Sequence, residues 1–430
     1  MDPITVELPY GDGRLTARLP AGRTDVIQPL ELDPARDPAA EIVRALRDPV
    51  SGPPLRSVVR RGGTVAISVC DGTRPQPRRD VIPTLLSELE DSVRLDDVTI
   101  LVATGTHRGN TNDELLEMLG EDVMAAVDVV NHDARDQQQL GWVGTLGDDV
   151  PVWLNKRWLD ADIRITTGFV EPHFFAGFSG GPKMVAPGLA GLETTLTLHD
   201  ARRIASGNAR WGITRGNPVH DDIRAIAAAT GVDFALDVTL DGSKRIVRAY
   251  GGELDEMHRR ACEDVRRSAM RGIEAPYDVV VTTNGGAPLD QNLYQCVKGI
   301  SAAAQIAREG ATIVCAAECR DGFPDHGDYR RQLAAASGPA ELLDEITGRR
   351  ETIPDQWQVQ IQAMIQLRHR VVVQTSYLSD AEIAEAHLEQ THDIEAVVEG
   401  ALAKAGPRSR VCVLPQGPQT IPFLTGTGGA

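Results

Sequence analysis

Apolar and polar side chains alternate over Ile4-Thr-Val-Glu-Leu and again over Leu15-Thr-Ala-Arg-Leu, with the turn Tyr10-Gly-Asp-Gly between them. Period-two alternation about a glycine turn predicts a β-hairpin. Past a polar, proline-bearing connection, the pattern changes to short apolar runs separated by stretches of helical period. Thr64-Val-Ala-Ile-Ser-Val reads as a buried strand, 80–91 as a helix and Val98-Thr-Ile-Leu-Val-Ala as the next strand. The rhythm goes on through a helical 113–119, the apolar Val127-Asp-Val-Val, the strand Ile163-Arg-Ile-Thr-Thr and a helix over 221–229, interrupted by a long loop. Strands alternating with helices are the pattern of parallel βαβ units.

The periodicity lapses over 268–276, and Asp278-Val-Val-Val-Thr-Thr opens a second series. It comprises a helix over 292–308, the strand Thr312-Ile-Val-Cys, helices within 329–348, the strand Val371-Val-Val-Gln, helices to 405 and the strand Arg410-Val-Cys-Val-Leu. The expected fold is α/β with two domains, each an open, mostly parallel sheet flanked by helices, and an active site in the cleft between them. The first domain spans 1–270 and the second 277–409. The Gly/Pro/Thr-rich tail 410–430 is a candidate to pack back on the first.

Composition narrows the function more than the fold. At 430 residues the chain exceeds one ordinary core, and 42% hydrophobic with 24% charged residues is the balance of a soluble globular protein. Its net charge of −17 argues against nucleic acid as a partner. An anionic small molecule is still admissible if a few Arg and Lys residues are focused in a cleft. The six cysteines are scattered among apolar runs and form no disulfide framework; Cys315 and Cys319 are too few to indicate a metal site. No basic and apolar leader and no run of about 18 apolar residues is present, so a cytoplasmic protein without a membrane partner is expected.

Chemistry gathers at three strand ends, where open α/β sheets bind ligands. Asp71-Gly-Thr-Arg-Pro-Gln-Pro follows the first strand, and Ala103-Thr-Gly-Thr-His107-Arg-Gly follows the second. The third is followed by Glu171-Pro-His-Phe-Phe-Ala-Gly-Phe-Ser-Gly-Gly-Pro-Lys183-Met, and then by His199 on a helical stretch. Gly177, Gly180 and Gly181 permit close backbone approach to a phosphate. Pro182 and Met184 around Lys183 exclude a Walker A loop. Lys183 is open to three readings: a phosphate-binding charge, a surface residue or a covalent attachment point. Taken singly, Asp71 to Arg74 could be a capped turn and His199 a satisfied core or cap residue. Together, His107, His173, Lys183 and His199 on one side of one sheet point to a site. In the second domain Tyr294, Gln295 and Lys298 share a helix face, which fits either a polar wall of a site or a solvated surface. Phe174, Phe175, Phe178 and Trp357 either shape a pocket or pack the core.

In this order and spacing, Asp71-Gly-Thr-Arg-Pro, Gly105-Thr-His-Arg, Glu171-Pro-His-Phe-Phe-Ala-Gly, Ser179-Gly-Gly-Pro-Lys, His199 and Tyr294-Gln-Cys-Val-Lys resemble the lactate racemase family over most of the chain. The resemblance implies a racemase or epimerase of 2-hydroxy acids, lactate or a related short-chain acid. It further implies a nickel-pincer nucleotide, a pyridinium-3,5-bisthiocarboxylic acid mononucleotide, attached covalently at Lys183, with His199 as the nickel ligand. His107 and His173 match the paired acid/base histidines. Asp71, Gly72 and Thr73 match the loop touching the nucleotide, Arg74, Gln295 and Lys298 match cofactor contacts, and Arg74, Tyr294, Gln295 and Lys298 match the substrate-binding positions. Hydride abstraction and return through the cofactor would avoid an unstable carbanion, and two imidazoles near neutral pKa suit proton transfer at the hydroxyl. One protein ligand suffices if the cofactor supplies soft sulfur donors to the metal. The implied partners are the small-molecule substrate and, transiently, cofactor-synthesis enzymes; the oligomeric state is open. From other classes, a non-catalytic small-molecule binding or regulatory module could keep the same cleft. A nicotinamide dehydrogenase is disfavoured by the absence of G-x-G-x-x-G after the first strand.

Overall fold

A computed structural model describes residues 3–324 and 327–425 of the chain. Two compact units are present. One comprises Glu31–His199 and Ser206–Arg266; the other comprises the chain up to Leu30, Asp200–Ala205, and the chain from Arg267 onward.

The first unit is built on a six-stranded sheet in the order Ile246–Gly252, Phe234–Leu240, Ile163–Phe169, Val65–Cys70, Val98–Ala103, Asp128–Asn131. Only the pairing of Ile246–Gly252 with Phe234–Leu240 is antiparallel. Val65–Cys70 is buried at every position, which explains its continuous apolar run: both of its faces are covered. The core joins Ile67, Val69, Ile100 and Ile165 to Ile42 and Leu46 of helix Pro38–Arg47 and to Ile82 and Leu85 of helix Arg78–Leu89. The register aligns Cys70 with Ala103, so the loops carrying Asp71 and His107 leave adjacent strands side by side.

Several elements fall where the apolar pattern assigned nothing. These are the hairpin Leu140–Leu146 with Val150–Asn155, the strands Phe234–Leu240 and Ile246–Gly252, and helix Leu254–Ala269. The helix expected over 292–308 ends at Ala304 because Ala307–Ala316 is a strand. Its polar start, Ala307-Arg-Glu-Gly, has no strand signature, and pairing of Ala307 with Tyr277 overrides local preference.

The second unit has a six-stranded sheet in the order Glu389–Gln390, Arg370–Gln374, Ala307–Ala316, Tyr277–Thr283, Val411–Leu414, Thr24–Val26, parallel throughout. Residues alternate between its two faces. Val280 and Ile313 pack with helix Leu293–Ala304 and helix Gln356–Gln366. Val279, Val281 and Val314 pack with helix Ile394–Ala405 and with the hairpin Pro3–Tyr10 and Gly13–Pro20 through Val6, Leu8, Ala17 and Leu19. Chain order alone assigns residues 1–30 to the first domain; the structure groups the described part of that stretch with the second unit. The physical reason is that the hairpin covers one apolar face of this sheet, and Thr24–Val26 completes its edge. The tail strand Ile421–Leu424 pairs in parallel with Met270–Ile273, also in this unit, and residues 426–430 lie outside the described residues. All six cysteines are buried free thiols, and no helix among the described residues is long and apolar enough to cross a membrane.

Leu8 is fully buried in the hairpin face. We expect Leu8→Ala to destabilise the protein by about 2–5 kcal/mol. Amide hydrogen exchange should speed up first in Tyr277–Thr283, with Val65–Cys70 keeping its protection. Faster exchange confined to Val65–Cys70 would contradict this packing.

Candidate active site

Asp71 leaves the end of the first strand buried, and His107 stands exposed at the end of the second. His107 Nδ1 donates to Asp71 Oδ2 at 2.7 Å. Burial opposes ionisation of Asp71, yet hydrogen bonds from His107 and Thr73 and the charges of His107 and Arg74 hold its carboxyl below the usual range. When the imidazole is neutral, the carboxylate holds its proton on Nδ1 and leaves the lone pair on Nε2. Arg74, half-buried, forms no salt bridge among the described residues. Gly72 and Thr73 are exposed on the same turn.

The third strand end carries the segment 171–188. Pro172–His173 and Gly177–Phe178 pair as a miniature hairpin, and Gly181–Met184 is a single 3₁₀ turn. The backbone N–H of Ala176 donates to His173 Nδ1 at 3.2 Å, so the neutral imidazole carries its proton on Nε2. The two histidines are thus set with opposite Nε2 states.

Phe175 organises the rest. Its ring meets His173 edge-on with centroids 4.5 Å apart and His199 edge-on at 5.0 Å, and the Lys183 ammonium lies 5.9 Å from its centroid. Phe174 and Phe178 are likewise buried, Phe174 lying 4.5 Å from Phe175. His199 caps helix Leu192–Leu198 rather than lying within it. It is buried, and its Nδ1 donates to Thr195 O at 2.7 Å, which leaves the lone pair on Nε2, as a metal-binding imidazole requires. The Lys183 and Asp71 loops adjoin: Ser68 Oγ donates to Met184 O at 2.7 Å, Cys70 Sγ lies 3.6 Å from the Met184 sulfur, and Gly105 N donates to Gly188 O at 3.0 Å. Among the described residues no cluster of three or more His, Cys, Asp or Glu could hold a metal ion. A metal on His199 would therefore need most of its donors from a bound group.

The glycines have a different cause from the one the sequence suggests. Gly177, at φ +81°, lies so close to the backbone of Ile213 that a Cβ would stand 2.1 Å from its carbonyl oxygen. Gly181, at φ +51°, abuts the His258 ring, where a Cβ would stand 2.4 Å from Cγ. The Gly181 amide donates to Asp237 Oδ2 at 2.6 Å. Protein crowds these positions, and that alone requires glycine at them.

Sequence reasoning missed the floor of this segment. His258 Nε2 donates to Ser179 O at 2.8 Å, and His220 stacks on His258 with centroids 5.5 Å apart and 14° between planes. Burial pushes His258 down to about 4 and His220 well below its ordinary value, with the Lys183 charge acting the same way, so both are neutral at pH 7. Asp237 is fully buried; desolvation raises it to about 7 despite the Gly181 and Gly168 amides. One signal was available: Phe234-Ala-Leu-Asp-Val-Thr-Leu places an acid inside a buried strand.

In the second unit, Tyr294, Gln295 and Lys298 lie half-buried on one face of helix Leu293–Ala304, while Leu293, Cys296 and Val297 face the core. Lys298 Nζ donates to Gln295 Oε1 at 2.7 Å, and Trp357 Nε1 donates to Tyr294 Oη at 3.2 Å. Trp357 therefore supports Tyr294 directly.

The model of the lactate racemase N-terminal domain matches residues 10–212, and that of the lactate racemase C-terminal domain matches 273–421. A lactate racemase of Thermoanaerobacterium thermosaccharolyticum is 35% identical over 97% of this chain and 98% of its own length. One of Lactiplantibacillus plantarum is 34% identical over 96% and 98%. The structure of the T. thermosaccharolyticum lactate racemase apoprotein superposes with a TM-score of 0.91 at 34% identity, covering 97% of this chain and 100% of that one. A Thermotoga maritima protein, with a TM-score of 0.67 at 18% identity over 92% and 100%, shares the fold.

A carboxyl whose pKa is raised on folding stabilises fully below its unfolded pKa near 4, and the contribution is lost as pH rises through the folded value of about 7. Asp237→Asn removes that loss. Its stability relative to the parent should therefore rise between pH 4 and pH 8, by up to about 4 kcal/mol, in urea denaturation. A difference that does not change with pH would contradict the raised carboxyl.

Proposed function

The chain belongs to the lactate racemase family of isomerases, and from that premise we propose that it racemises or epimerises lactate or a related short-chain 2-hydroxy acid. The observation that carries the reading is the complementary setting of two imidazoles. His107 presents a lone pair at Nε2 because Asp71 takes its Nδ1 proton, and His173 presents a proton at Nε2 because Ala176 N–H occupies its Nδ1. Inversion at a carbinol needs the hydroxyl proton to leave and return. Neutral His107 can take it at Nε2 and become an imidazolium; either histidine returns a proton only from its imidazolium, and the Nε2–H of neutral His173 serves as a hydrogen-bond donor.

The residues present fit the nickel-pincer nucleotide that the family implies. His199 offers an imidazole whose Nδ1 is tied to Thr195 O, and Lys183 stands at the same Phe175 ring as His199 and His173. We infer that Lys183 is the covalent attachment point, that His199 is the protein's nickel ligand, and that Asp71, Gly72, Thr73 and Arg74 border the nucleotide, with Gln295 and Lys298 as further cofactor contacts. When bound, that group supplies a hydride acceptor and donor at the substrate carbon. The chain's own work is to hold and orient. Arg74 and Lys298 supply cations for the substrate carboxylate that the acidic chain otherwise lacks, and Tyr294 and Gln295 set its orientation. Loading of Lys183 would require transient engagement with cofactor-synthesis enzymes.

The test is a chirality-resolved assay of both lactate enantiomers and larger 2-hydroxy acids, using protein produced together with those enzymes. Each enantiomer should converge on the racemate, and the intact mass should show an adduct on Lys183 with stoichiometric nickel. His107→Ala and His173→Ala should each lower the rate by about 10²–10⁴-fold without changing thermal unfolding. Full activity in either variant, or an unmodified Lys183 in an active enzyme, would overturn the assignment.

A further inference from the structure

The turn that carries Lys183 is irregular backbone inside the protein, and its placement depends on side chains far away in sequence. Two anchors precede the lysine. The Gly181 amide is held by Asp237, 56 residues on, and the Ser179 carbonyl by His258, 79 residues on. The His258 ring also forms the floor against which Gly181 rests in its left-handed conformation. After the lysine, Gly188 N donates to Lys183 O at 3.1 Å. Within the turn, Lys183 N donates to Gly180 O at 3.2 Å, so a shift of Gly180 or Gly181 moves the lysine with it.

We propose that Asp237 and His258 are positioning residues for Lys183, fixing the turn from Ser179 to Lys183 so that the ammonium stands at the Phe175 ring shared with His173 and His199. The proposal rests on the reading of Lys183 as the attachment point for its functional consequence, though not for its geometry. The choice of residues supports it. Asp237 sits at the centre of a buried strand opposite Gly168, with Oδ1 lacking a hydrogen-bond partner among the described residues. A valine there would avoid burying a carboxyl, so the acid costs stability that its bonds to the Gly181 and Gly168 amides offset. His258 is likewise buried in its neutral form, with its donor committed to one carbonyl. Each is bonded to the backbone of the turn rather than to the Lys183 side chain.

The experiment compares two pairs of variants in the full chain. Asp237→Asn keeps an acceptor for Gly181, whereas Asp237→Val does not; His258→Gln keeps an N–H donor, whereas His258→Phe does not. The first readout is amide hydrogen exchange of cofactor-free protein, and the second is the fraction of Lys183 modified after production with the cofactor-synthesis enzymes. The Val and Phe variants should raise exchange at the Gly181 and Lys183 amides by roughly tenfold or more and lower the modified fraction, with Val98–Ala103 unchanged. The Asn and Gln variants should stay within about threefold of the parent at those amides. If Asp237→Val does not fold, the His258 pair decides alone. Parental exchange at Gly181 and Lys183 in the apolar variants, or an equal rise across the whole first unit, would overturn the proposal. If the parent itself carries no adduct, the attachment reading fails, and the exchange data still decide whether these residues fix the turn.

Discussion

The site depends on keeping a largely irregular stretch of backbone, residues 171–188, buried against the carboxyl ends of three parallel strands. Phe174 to Phe178 and Gly180 to Pro182 are buried, yet little of this stretch has sheet or helix partners for its amides and carbonyls. Buried backbone polar groups must be paired or the conformation is lost. Part of the pairing is local backbone, as in Ser179 N to Glu171 O and Val185 N to Pro182 O, and side chains from elsewhere add to it: Asp237 takes the Gly181 amide, His258 the Ser179 carbonyl and Ser68 the Met184 carbonyl. Lys183 sits between these anchored positions, whereas His173 is placed by its pairing with Gly177 and the Ala176 amide.

With the segment held, Phe175 becomes a common wall for His173, His199 and Lys183. Each imidazole has a Nδ1 partner chosen by its surroundings: a carboxylate for His107, a backbone amide for His173 and a carbonyl for His199. Three chemically identical side chains thereby acquire Nε2 atoms in two states: a lone pair on neutral His107 and His199, and a proton on neutral His173.

Much of this was legible in the sequence. Continuous apolar runs such as Val65–Cys70 announce buried parallel strands, and the polar residues placed directly after them, Asp71 and His107 among them, lie side by side in the structure. The pairing of Asp71 with His107 followed once the strands were neighbours. The hairpin at the start was also evident, but not which sheet it would cover, since alternation specifies an apolar face and not its partner. The glycines of 177–181 were misread because a sequence shows that a residue is small and not what crowds it; Ile213 and His258 do so here. His220, His258 and Asp237 were invisible as a group because they lie on separate elements and meet only beneath the folded segment. His199 was placed on a helix and proves to be its cap, a shift of one residue that leaves its Nδ1 bonded to Thr195.

The central claim is that the two acid/base imidazoles start from opposite tautomers. Long-range ¹H–¹⁵N NMR of the cofactor-free protein, with His107→Gln and His173→Gln variants for assignment, reads this directly. The account predicts a neutral His107 with its proton on Nδ1 and a neutral His173 with its proton on Nε2. The same tautomer for both, or a proton on Nε2 of His107, would contradict it.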